Sequence, residues 1–177
     1  MQFRESYIKG LFEITPRVFS DDRGFFFESY SAKAFKDNGL DLKFVQDNQS
    51  YSIPGVVRGL HFQRAPYAQG KLVRVIKGKV LDVAVDLRKD SATYGKYDTF
   101  ILDAKNHNMV YIPEGFAHGF SALEESIFLY KCTNIYNKES EGGIIFNDPT
   151  LCIDWQVKNP IVSEKDMQLQ YFKDFSF

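Results

Sequence analysis

The chain is 177 residues long and 44% hydrophobic, and its 22 Lys and Arg nearly cancel 23 Asp and Glu to leave a net charge of −1. A length of this order supports one domain with a core of its own, and no shift in composition divides it, so a single domain over residues 1–177 is expected. The two kinds of charge are interspersed, which excludes the broad basic field of a nucleic-acid or membrane-surface binder and leaves any anionic ligand to a local site.

The N-terminus, MQFRESYIKG, carries charge early and lacks the uninterrupted apolar run of a signal peptide or membrane span, so a cytoplasmic protein is expected. Beyond it, short apolar alternations broken by turn residues, with few stretches of helical period, predict an all-β chain. Strands are expected over residues 25–30, 57–63, 72–76, 80–86, 99–102, 108–112, 116–122, 126–133 and 143–146. Their number suits a double-sheet jelly roll. Ala32 starts a short helical stretch that runs to Asn38 and is closed by Gly39, and a second stretch starts at Glu164 behind the cap Ser163. Between residues 71 and 87, two apolar arms flank Lys77-Gly78 and read as a hairpin turned at Gly78. In its second arm Val83 and Val85 point one way while Asp82, Ala84 and Asp86 point the other. Residues 90–95 and 137–143 read as surface loops.

Val57-Arg58-Gly59-Leu60-His61-Phe62-Gln63 sets a cation and an imidazole in an apolar strand. Strict alternation puts Arg58 and His61 on opposite faces, so joint work on one ligand needs a bulge or a twist, which Gly59 can supply. Lys71 enters the next apolar strand, either as an exposed strand-end lysine or as a positive charge facing a developing oxyanion. Phe116, His118 and Phe120 share a face, where His118 reads first as packed core; Tyr130 lies in an apolar strand where its hydroxyl needs a partner or a task. Ser163-Glu164-Lys165-Asp166 is explained as a helix start with acidic residues at the positive end of the dipole. There are only three histidines, His61, His107 and His118, without an H-x-H pair, and Cys132 and Cys152 are not close-paired, so no metal site is expected.

Five strings carry more together than singly: Asp22-Arg23-Gly24-Phe25-Phe26-Phe27-Glu28, Phe44-Val45-Gln46-Asp47-Asn48, Arg58-Gly59-Leu60-His61-Phe62-Gln63, Gln69-Gly70-Lys71-Leu72-Val73-Arg74 and Ile112-Pro113-Glu114-Gly115-Phe116-Ala117-His118-Gly119-Phe120. In order and spacing the chain resembles the dTDP-4-dehydrorhamnose 3,5-epimerases, from its first strand to about Asp166. The resemblance implies a cupin-type jelly roll assembled as a homodimer, with no metal or organic cofactor, acting on a dTDP-4-keto-6-deoxy sugar. It also implies His61 as general base with Asp166 as its partner, Lys71 at the ketone oxygen and Tyr130 as the acid on the opposite face. Arg23, Glu28, Gln46, Asn48, Arg58, His118, Glu141 and Lys165 fall on positions that contact the nucleotide sugar, and Tyr136 falls where an aromatic ring stacks on thymine.

The implied chemistry asks for these residue types. Loss of a proton beside a ketone leaves an enolate, and a neutral imidazole falls short of the basicity required by roughly ten pKa units, or about 14 kcal/mol. A water-excluded ammonium at the ketone oxygen lowers that cost. Inversion needs the returning proton to arrive from the other side, which a Tyr hydroxyl can supply, and planar guanidinium groups such as those of Arg23 and Arg58 suit a diphosphate. Three other readings stay open on the sequence: an epimerase acting at C3 or C5 alone, a metal-dependent cupin oxygenase, and a non-catalytic sugar-binding jelly roll.

Overall fold

Short strands with one apolar face cannot be buried singly, and here they pair into two sheets that enclose a common core. The structure, a computed structural model of the chain, describes residues 1–176. In chain order the strands are β1 (Gln2–Glu5), β2 (Phe12–Thr15), β3 (Phe19–Asp21), β4 (Gly24–Phe26), β5 (Gln46–Ser52), β6 (Val57–Gln63), β7 (Lys71–Lys77), β8 (Lys79–Asp86), β9 (Tyr97–Asp103), β10 (Met109–Ile112), β11 (Phe116–Ala122), β12 (Ser126–Cys132) and β13 (Glu141–Gly143). Helix α1 (Ala32–Asp37) precedes β5, and α2 (Glu164–Met167) follows β13. One sheet runs β1-β2-β10-β7-β12-β5 and the other β13-β6-β11-β8-β9, with antiparallel pairing throughout, while β3 and β4 form a separate hairpin. The result is an all-β, double-sheet jelly roll with two short helices, none long and apolar enough to cross a membrane.

Alternation along the strands decides what each layer covers. Val73, Val75 and Val110 of the first sheet meet Val80, Ala84, Phe116 and Phe120 of the second, and Phe120 stacks on Phe128 with ring centroids 4.3 Å apart. Val83, Val85 and Ala117 face the opposite way, where Leu151, Trp155 and Phe175 cover the outside of the second sheet. Phe35 of α1 does the same for the first sheet, against Leu72, Met109 and Tyr111. Strand β8 is therefore buried on both faces, and its two aspartates, Asp82 and Asp86, are interior groups at 0% exposure.

The hairpin expected at Gly78 is not one. Its arms, β7 and β8, lie in different sheets and do not pair with each other. Both arms bury valines in the same inter-sheet core, so the chain folds over at Gly78 from one layer to the next rather than back along its own hydrogen bonds. Gly78 has φ +75°, and a Cβ there would lie 2.1 Å from the Glu125 carbonyl oxygen, so the corner requires glycine. The strand expected over residues 143–146 occupies Glu141–Gly143 instead, and of residues 25–30 only Phe25 and Phe26 lie in a ladder, as part of β4.

Candidate active site

The bulge in β6 shapes the site. Across the β6–β11 pair, His118 stands opposite His61 and Phe120 opposite Arg58, so β6 takes three steps where β11 takes two. Gly59 makes this possible: its φ is +126°, and a Cβ would fall 2.5 Å from the Gly119 Cα and 2.9 Å from the His118 carbonyl oxygen. Arg58 and His61 thereby share a face. Both line a cavity of about 250 Å³ that also receives Lys71 from β7, His118 from β11, Tyr130 from β12, and Lys165 and Asp166 from α2.

His61 Nε2 lies 2.8 Å from Asp166 Oδ1, and the backbone N–H of Gly59 donates to Asp166 Oδ2 at 3.2 Å. Ser163, the cap of α2, accepts from the Asp166 N–H at 3.1 Å, so the helix start expected from the sequence is what aims this carboxylate. Burial pushes the Asp166 carboxyl up, but the hydrogen bonds with His61, Gly59 and Ser163 outweigh it and hold the group below its ordinary value. Lys71 is drawn below the ordinary lysine range by burial, against the raising influence of Cys132, Asp82 and Glu141. Its Nζ lies 6.0 Å from the centroid of the Tyr130 ring. Burial raises the Tyr130 phenol, Cys132 and Glu141 add to that, and Arg58 opposes it, so the hydroxyl keeps its proton at neutral pH. His118 is lowered by burial although Asp82, bonded to its Nε2 at 2.8 Å, pulls the other way; its imidazole is neutral.

A second group is joined to the cavity through Lys165. Glu141 Oε2 accepts from the Tyr136 hydroxyl at 2.9 Å and from Lys165 Nζ at 2.7 Å. Gln46 Oε1 accepts from the Tyr136 N–H at 2.9 Å, and Gln46 Nε2 donates to Asn48 Oδ1 at 3.0 Å. Lys165, Glu141, Tyr136, Gln46 and Asn48 of the expected set thus form one hydrogen-bonded chain, of which Lys165 lines the cavity. Arg58 is steadied by Ser52 Oγ and the Tyr51 carbonyl. Arg23 and Glu28 are not brought to the cavity. Arg23 sits on the β3–β4 hairpin with its side chain 90% exposed and paired to Asp21, and Glu28 is exposed just beyond β4.

Asp82 was not singled out in the sequence, where it reads as the polar side of a two-faced strand. The signal that marks it is a charged residue in β8 flanked on its own face by apolar Val80 and Ala84. Among the described residues no group of three or more His, Cys, Asp or Glu is arranged to hold a metal ion.

Residues 5–174 match the family model described as dTDP-4-dehydrorhamnose 3,5-epimerase. A relative of that name from Shigella flexneri is 51% identical over 164 residues, covering 92% of this chain and 91% of its own. The crystal structure of dTDP-4-dehydrorhamnose 3,5-epimerase from Elizabethkingia anophelis NUHP1 matches with a TM-score of 0.95 at 48% identity, over 100% of this chain and 99% of that one. The dTDP-6-deoxy-D-glucose-3,5-epimerase of Legionella pneumophila Philadelphia 1, in complex with dTDP-4-keto-L-rhamnose, matches with a TM-score of 0.95 at 43% identity, over 99% of this chain and 94% of that one. With the family model spanning nearly the whole length and the fold shared from end to end, the chain belongs to the dTDP-4-dehydrorhamnose 3,5-epimerase family.

Proposed function

We propose that this enzyme converts dTDP-4-dehydro-6-deoxy-D-glucose to dTDP-4-dehydro-L-rhamnose, removing and returning protons at C3 and C5 through an enolate. The observation that carries the reading is the convergence of His61, Lys71 and Tyr130 on one cavity, with Asp166 bonded behind the imidazole. His61 is the general base: with its Nε2–H donated to Asp166, Nδ1 keeps a lone pair for the sugar's proton. The imidazolium that forms is stabilised by the same carboxylate. Lys71 faces the ketone oxygen, where the enolate's charge collects. Tyr130, protonated at neutral pH, delivers a proton to the other side of the ring. After one inversion His61 holds an extra proton and Tyr130 lacks one, and the pair resets through solvent; inverted carbons therefore acquire solvent hydrogen. Arg58 and Lys165 supply charge for the diphosphate, His118, Gln46, Asn48 and Glu141 hydrogen-bond the nucleotide sugar, and Tyr136 offers its ring to the thymine.

The reading needs no metal or organic cofactor, since base, acid and charge stabiliser are side chains, and a cytoplasmic, single-domain enzyme is part of it. So is a homodimer. Arg23 and Glu28 lie outside the cavity of their own chain, on and beside a hairpin whose Phe19, Phe25 and Phe26 are 51%, 61% and 66% exposed. A second copy that buries those rings and receives Arg23 and Glu28 in its cavity accounts for both features.

His61→Ala is expected to abolish exchange of the sugar's C3 and C5 hydrogens with solvent while dTDP still binds, as read by calorimetry. Persistent exchange in that variant overturns the base assignment.

A further inference from the structure

The reaction described above gives no task to Asp82, the buried carboxylate bonded to His118 of the cavity. Asp82 on β8 is 0% exposed, and its Oδ2 accepts from His118 Nε2 at 2.8 Å. Its Oδ1 has no hydrogen-bond partner among the described residues. Its neighbours on the same face of β8, Val80 and Ala84, belong to the apolar core, so packing alone asks for an apolar residue here. A buried carboxylate oxygen with no donor is costly, and a fold that keeps one has a use for the charge.

The groups that line the cavity with Lys71 or act on its charge narrow that use. They include Cys132 and Tyr130 from β12, Glu141 from β13, Asp82 from β8 and His118 from β11. Cys132 and Tyr130 are held protonated, chiefly by burial, and His118 is neutral. Glu141 is already engaged by Lys165 and Tyr136. Of the two acidic groups that act on Lys71, Asp82 is the one with no lysine or arginine bonded to it among the described residues.

We propose that Asp82 is a positioning residue for the epimerisation: its buried carboxylate turns the Nε2–H of His118 away from the sugar, leaving Nδ1 as an acceptor, and provides the counter-charge for the Lys71 ammonium beneath the ketone oxygen. Without that charge, a largely buried ammonium favours its neutral amine, and the enolate loses its partner. Without the hydrogen bond, the His118 tautomer is no longer fixed, and the acceptor it offers the sugar's hydroxyl groups is lost for part of the population.

The inference rests on the epimerase reading, so turnover by the wild-type protein is measured first; a wild-type protein that leaves the keto sugar unchanged sinks that reading and this one together. Given turnover, Asp82→Asn keeps the side-chain shape and an acceptor for His118 but removes the charge. A fall in kcat of about 100-fold is expected, the scale of one lost oxyanion donor, with a much smaller change in KM. The alkaline limb of the kcat profile is expected to move to lower pH by about one unit, because an ammonium deprived of a nearby anion gives up its proton sooner. An unchanged kcat, or a fall in kcat that tracks lost thermal stability with the limb unmoved, overturns the proposal. If Asp82→Asn does not fold, Asp82→Ala is assayed with added formate instead. Recovery of kcat by formate, and not by chloride at equal ionic strength, supports the role, and a folded variant that formate leaves inactive refutes it.

Discussion

Whether Asp166 is charged decides what His61 can do. Hydrogen bonds hold this carboxyl below its ordinary value in spite of burial, so the folded state binds its proton less readily than the unfolded chain does. The sign follows: the stability it contributes is fully present above the unfolded-state pKa and is lost as pH falls through the folded one. Wild-type protein and Asp166→Asn should therefore differ in unfolding free energy at neutral pH and converge in acid, as read by denaturant titrations over a series of pH values. A gap that does not change with pH contradicts the assignment. At neutral pH the same substitution should lower kcat on the order of 1,000-fold, because the imidazole loses both its orienting partner and the charge that stabilises its protonated form. Burial acts in the opposite sense on Lys71 and Tyr130, lowering the first and raising the second. On the proposed roles, the alkaline limit of activity is expected to follow the ammonium rather than the phenol.

Strand β6 shows how an element carries the site. Gly59→Ala forces a left-handed φ on a residue with a side chain and drives its Cβ into the Gly119 backbone. A loss of about 3 kcal/mol is expected from the strain and overpacking together, measurable by chemical denaturation. Activity should fall further than stability explains, because Arg58 and His61 share a face only while the bulge persists. Wild-type stability in this variant contradicts the close approach of the two backbones. The need for a bulge or twist at Gly59 was legible in the sequence, as were the bounds of β6 and β11, whose apolar residues are bracketed by turn signals. Strand β5 was not. Its QDNQSYS is almost wholly polar because it is an edge strand half open to solvent, and only its pairing with β12 makes it extended. Gly78 was legible as a corner but not as a change of sheet, since the same residue types serve a hairpin and a fold-over between layers.

In the whole molecule, the expected site residues divide into those one chain brings together and those it does not. Sequence strings could name Arg23 and Glu28 but not say whose cavity they enter, because a string carries no information on which copy its side chains face. Mixing tests that point. If Arg23 acts in the partner's cavity, Arg23→Ala and His61→Ala are each inactive, and their mixture recovers about a quarter of wild-type activity, since half the dimers are mixed and each mixed dimer has one intact site. No recovery, or full activity in Arg23→Ala alone, contradicts the shared site. The central claim, that one base and one acid face each other across an enolate held by Lys71 and act at two carbons, has a more direct test. It is NMR of dTDP-4-keto-6-deoxy-D-glucose incubated with the protein in heavy water. Product inverted and deuterated at both C3 and C5 is the expected result; label at one carbon only, or inversion without label, contradicts it.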